Sequence, residues 1–185
     1  MRTFDDSRIM EENVSSERKF DGIILNVDHL TNRLPNGKLA KREIIRHIGA
    51  SAVLPVDGEG NVYLVRQFRA PVGRVLLEIP AGKLDYKGED RLEAAKRELR
   101  EETGLIAEEW THLNDMLSTP GFCDECIGLY LARGLSAGES DPDEEEFVNV
   151  VKMPFAEAVD MVMHNEITDA KTICALMMAC RILNA

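Results

Sequence analysis

Apolar positions follow a strand-like rhythm over the first half of the chain and a helical one after it. A polar, loose start occupies residues 1–17. Residues 20–27 are β-rich, Pro35-Asn36-Gly37 is a turn signal, and residues 40–47 return as a second strand. Residues 50–55 form a short apolar strand, 57–61 a turn, and 62–68 alternate again. Residues 75–79 add another apolar strand, closed by Pro80-Ala81-Gly82. The period then changes. Residues 89–103 contain neither Gly nor Pro, and Leu92, Ala95 and Leu99 fall on one helical stripe. Gly104 stands where a helix C-cap belongs. Strands are expected over 110–117, 127–132 and 147–153, and helices over 154–163 and 169–183. Residues 138–146 read as an acidic loop, with six carboxylates in the eight residues from Glu139. The pattern predicts an α+β fold, a mixed sheet with one helix in the middle of the chain and two at its end.

Composition narrows the function classes. At 185 residues, 44% hydrophobic and 30% charged, the chain suits one globular domain. A net charge of −11 argues against a nucleic-acid or anionic-membrane binder. Residues 33–74 run against that balance, with eight cations and three anions. They are either solvated strand edges or a phosphate-facing surface. The longest apolar run, 173–180, is eight residues, far short of the ~20 needed to span a bilayer. The N-terminus lacks an apolar signal core, so the four cysteines are expected as reduced thiols in the cytoplasm. Cys123 and Cys126 form a C-x-x-C without a second ligand pair, which disfavours zinc. His29, His47, His112 and His164 have no ligand-like spacing and receive no role.

Candidate chemistry concentrates in residues 82–105, GKLDYKGEDRLEAAKRELREETGL. Glu98, Glu101 and Glu102 stand at i, i+3 and i+4 and share a helix face. Clustered carboxylates suit a hard divalent cation such as Mg²⁺ or Mn²⁺. The alternative is a solvated acidic face, with Arg97 paired to Glu101 at i, i+4.

The segment resembles the Nudix hydrolase signature, G-x5-E-x7-R-E-U-x-E-E-x-G-U, with U a bulky aliphatic residue. From Glu89 through Leu105 every fixed position is matched. Between Gly82 and Glu89 lie six residues where the signature has five; the insertion falls in the loop before the helix. Further runs resemble the ADP-ribose pyrophosphatase branch. They are Arg66-Gln67-Phe68-Arg69, residues 77–84, Thr119-Pro120-Gly121-Phe122 with Asp124-Glu125, residues 143–147, and residues 166–172. The resemblance implies a Nudix-like α/β/α sandwich over residues 48–185. It also implies an N-terminal β-hairpin extension over 1–47 that forms a homodimer.

The implied activity is metal-dependent hydrolysis of ADP-ribose to AMP and ribose 5-phosphate. Another nucleoside diphosphate sugar, ADP-glucose or GDP-mannose, and a non-catalytic nucleotide-sugar binding module are the alternatives. The implied metal ligands are Glu98, Glu102 and the Ala81 carbonyl, with Glu101 binding or orienting the ion. Arg97 holds the glutamates. The base comes from the acidic loop, Glu144 first and Glu146 second. Arg69 is a candidate for the diphosphate, or a surface strand cation. Glu78 is a candidate for a ribose hydroxyl, or a structural acceptor. Gly121 and Phe122 belong to the implied substrate-side loop.

Overall fold

Polar side chains dominate residues 12–21, yet in the computed structural model, which describes residues 5–138 and 147–183, they form a strand. This strand, β1 (Glu12–Asp21), is exposed at all ten positions. It therefore carries no alternation and was expected as loose chain. It pairs antiparallel with β2 (Asn26–Arg33), which pairs with β3 (Leu39–Arg46). The β1–β2 turn falls inside residues 20–27, where Gly22 N–H donates to the Leu25 carbonyl at 2.9 Å. The expected two-stranded extension is thus a three-stranded sheet. Ion pairs Arg18–Asp28 and Arg46–Asp28 tie its strands, at 2.6 and 3.0 Å.

The chain divides into two compact units. One is Met1–His47 with Thr119–Glu125; the other is Ile48–Ser118 with Cys126–Ala185. Backbone bonds explain why 119–125 joins the first. Ile45 N–H donates to the Phe122 carbonyl at 2.7 Å, and Asp124 N–H to the Ile45 carbonyl at 3.1 Å.

The second unit holds β4 (Ala50–Pro55), β5 (Asn61–Arg69), β6 (Arg74–Glu78), β7 (Ala81–Lys83), α1 (Arg91–Thr103), β8 (Leu105–Leu117), β9 (Cys126–Ala137), β10 (Val148–Pro154), α2 (Phe155–Met163) and α3 (Ala170–Leu183). A mixed sheet runs β7-β4-β9-β8, with β4 and β9 parallel. An antiparallel sheet runs β10-β5-β6. Buried on both faces, β4 separates two cores. Val53 meets Ala95, Leu99 and Ala132 on the α1 side. Ala52 and Leu54 join Leu64, Ile79, Leu129, Leu131, Leu176 and Ala179 on the other. Helix thus covers both faces of the mixed sheet, the sandwich that the resemblance implied. Among the described residues no helix is long and apolar enough to cross a membrane.

Leu99 anchors α1 and is fully buried. Leu99→Ala should cost about 3 kcal/mol through the cavity it leaves. Thermal unfolding should then fall by about 10 °C; an unchanged melting temperature would remove Leu99 from the helix–sheet contact.

Candidate active site

Helix α1 owes its register to its caps. Asp90 accepts from Leu92 N–H at 2.8 Å and Glu93 N–H at 3.2 Å, satisfying two of the helix's unpaired first-turn donors. Gly104 closes it in the left-handed conformation, φ 67°. Between the caps, Ala95 and Leu99 turn to the sheet. Glu98 and Glu102 are buried too, at 6% and 5% exposure. They are not a solvated face.

What buries them is β7. Glu102 Oε2 accepts from Ala81 N–H at 3.0 Å. The Glu98 carboxylate lies directly on Gly82. A Cβ there would stand 2.0 Å from Oε1, 2.3 Å from Cδ and 2.5 Å from Oε2. The position has room for hydrogen alone while Glu98 keeps its place. The inserted residue leaves this contact intact. Gly88, at φ 91°, takes up the tight turn. Asp85 N–H donates to Glu89 Oε2 at 2.7 Å, closing the loop before α1.

Arg97 fastens that loop to the helix. Its guanidinium reaches Glu98 at 2.7 Å, Glu101 at 3.1 Å, Asp85 at 3.4 Å and Glu89 at 3.8 Å. It also donates to the Lys83 carbonyl at 3.2 Å. Four carboxylates thus surround one guanidinium, with Glu102 as a fifth acid nearby.

Among the described residues no three acidic, His or Cys groups converge into a ready-made cation cage. The donor chemistry nevertheless fits a hard divalent ion. The groups are oxygen-bearing and acidic in excess, and two of them, Glu98 and Glu102, are buried against a backbone strand.

A second charged cluster lies where β6 enters β7. Arg69 Nε and Nη2 donate to the two oxygens of Glu78, each at 2.8 Å. Lys171 also donates to Glu78 Oε2. Glu78 is 1% exposed, and both its oxygens are engaged. In this conformation both oxygens are turned to two cations. Burial opposes its charge, but the Arg69 bonds and Lys171 hold its carboxyl below the usual range. The bond to Glu78 likewise raises Arg69's hold on its proton.

The remaining candidates are placed as follows. Gly121 and Phe122 sit in the first unit, with the Phe122 ring half exposed. Glu144 and Glu146 lie outside the described residues. The four cysteines form no disulfide. Three of the eight cations in the basic stretch 33–74 are ion-paired within the first unit, Arg33 with Glu12, Arg42 with Glu11 and Arg46 with Asp28. Those three are strand-edge groups, whereas Arg69 of the same stretch pairs with the buried Glu78. Lys171 and Thr172 were missed. Their partners lie 93 residues away, and spacing gives no signal for such pairs.

The NUDIX domain model matches residues 45–176. An ADP-ribose pyrophosphatase of Bacillus subtilis is 43% identical over 168 residues, covering 90% of each chain. A methanol dehydrogenase activator of Bacillus methanolicus is 41% identical, again over 90% of each. A GDP-mannose pyrophosphatase of Yersinia enterocolitica is 34% identical over 71% of this chain and 72% of its own. A solved structure titled as an ADP compounds hydrolase superposes with a TM-score of 0.82 at 24% identity, over 94% of both chains. That likeness concerns the fold.

Proposed function

This chain belongs to the Nudix family, and on that premise we propose that it hydrolyses ADP-ribose to AMP and ribose 5-phosphate. The observation that carries this reading is the pair Glu98 and Glu102, buried against Gly82 and Ala81. Fold stability alone gives no reason to bury two acids beside two more. A nucleotide-sugar substrate is supported by the relatives named ADP-ribose pyrophosphatase and GDP-mannose pyrophosphatase.

Mg²⁺, with Mn²⁺ as substitute, would be held by Glu98, Glu102 and the Ala81 carbonyl, with Glu101 beside them. Such an ion would supply neutralisation of the phosphate oxygens and a more acidic water. The chain supplies the rest. Arg97 keeps Glu98 and Glu101 in place. Arg69 uses two of its five N–H groups on Glu78, leaving three for diphosphate oxygens. Glu144, or failing it Glu146, takes the proton of the attacking water. Water oxygen joins one phosphorus, the bridging oxygen leaves with the other, and two phosphate monoesters result. By the family resemblance, Gly121 and Phe122 belong to a substrate-side loop.

The proposal includes a homodimer and a cytoplasmic setting. The dimer is supported by β1, which pairs with β2 alone among the described residues and leaves Val14 and Phe20 exposed. The four free thiols agree with a reducing compartment.

Comparing kcat/KM for ADP-ribose, ADP-glucose, GDP-mannose and a nucleoside triphosphate tests the substrate. ADP-ribose should lead by at least about tenfold. A lead for GDP-mannose, the second reading favoured by the 34% relative, would keep the chemistry and change the sugar.

A further inference from the structure

Helix α3 opens with Asp169, Lys171 and Thr172 packed against the β6–β7 junction. Thr172 is fully buried. Its hydroxyl accepts from Ile79 N–H at 2.9 Å and donates to Asp169 Oδ2 at 2.6 Å. Asp169 also accepts Thr172 N–H at 3.0 Å. The neutral bond from Ile79 to Thr172 already anchors the helix to the strand. Lys171 adds something else. It is 7% exposed, and its ammonium bridges Glu78 and, at 3.1 Å, Asp169. A buried ion pair gives little stability over an apolar side chain of similar volume, so anchoring does not account for a cation there.

Charge accounts for it. Glu78 forks Arg69 and fixes its plane, but a carboxylate behind a guanidinium also cancels the field that guanidinium offers a ligand. Asp169 adds a second negative charge. Lys171 offsets one of the two. Arg69, with 38% of its side chain exposed, then faces outward from a cluster of two cations and two anions. Without Lys171 the cluster would carry a net −1.

We propose that Lys171 is a positioning residue for anion recognition: by neutralising Glu78, it lets Arg69 be held rigidly and still attract the substrate's diphosphate. This rests on the reading of Arg69 as the diphosphate contact.

The test is calorimetric titration with ADP-ribose in excess EDTA, so that affinity is read without turnover. Wild type, Arg69→Ala, Lys171→Met, Asp169→Asn and the double variant Lys171→Met/Asp169→Asn are compared, with melting temperatures alongside. Asn keeps an acceptor for Thr172 while removing the charge. Lys171→Met should weaken binding about tenfold, as expected for one charge at several ångströms in a partly buried site. The double variant should recover most of that loss, because the cluster returns to neutrality. Asp169→Asn alone should bind a few-fold tighter, a check that does not depend on Lys171→Met folding. Unchanged affinity in Lys171→Met, or a double variant as weak as the single one, would overturn the proposal. Equal binding by wild type and Arg69→Ala would overturn the underlying reading of Arg69 instead, and the proposal with it.

Discussion

Glu102→Gln should lower ADP-ribose turnover on the order of a thousandfold while leaving the fold in place. The amide has the same shape and still offers an oxygen to Ala81 N–H, which Glu102 holds at 3.0 Å. What it lacks is the negative charge. Charge stabilisation around a divalent ion contributes several kcal/mol to such reactions, and each ~1.4 kcal/mol is a factor of ten in rate. The melting temperature should move by no more than a degree or two. Steady-state kinetics at saturating Mg²⁺, paired with a thermal melt, separates the two effects. Full activity would remove Glu102 from the metal site. Collapse of the fold would make it a structural acid.

Gly82→Ala should be nearly as damaging, and for a geometric reason. The added carbon would stand 2.0 to 2.5 Å from three atoms of the Glu98 carboxylate. Those atoms are the far end of a flexible side chain, so Glu98 gives way before the strand does. The cost to stability should stay within about 1–3 kcal/mol, the usual penalty for overpacking. The cost to kcat/KM should reach about a hundredfold, because a misplaced charged ligand loses most of what its geometry supplied. Denaturant unfolding and kcat/KM measured on one preparation check both. A large stability loss with near-normal kcat/KM would contradict the placement of Glu98.

These two residues also mark the boundary of what the sequence made legible. Helix α1 was readable almost to the residue. Its stripe, its freedom from Gly and Pro and its Gly104 cap are local, and only its start moved, from Glu89 to Arg91 behind the Asp90 cap. The burial of Glu98 and Glu102 was not readable from spacing, which left a solvated acidic face open. The strand that covers them lies 16 residues upstream of Glu98, and only the family signature pointed to Gly82. Strand β1 escaped notice because it is exposed on both faces, so no core imposes alternation on it. Lys171 sits at the start of a mostly apolar helix, and spacing gave it no role. Its partner Glu78 comes from β6, 93 residues away, and is invisible to any short window. The segment 119–125 looked like part of the second domain, and backbone bonds to Ile45 group it with the first unit.

The central claim is that α1 and β7 build a cation-dependent diphosphate hydrolase. Product analysis by chromatography after incubation with ADP-ribose, with Mg²⁺ and with EDTA, tests it most directly. The account predicts AMP and ribose 5-phosphate in equal amounts, formed only with the metal. Unchanged ADP-ribose in both tubes, from protein that melts cooperatively and binds the nucleotide, would contradict it and leave a binding module on a Nudix fold.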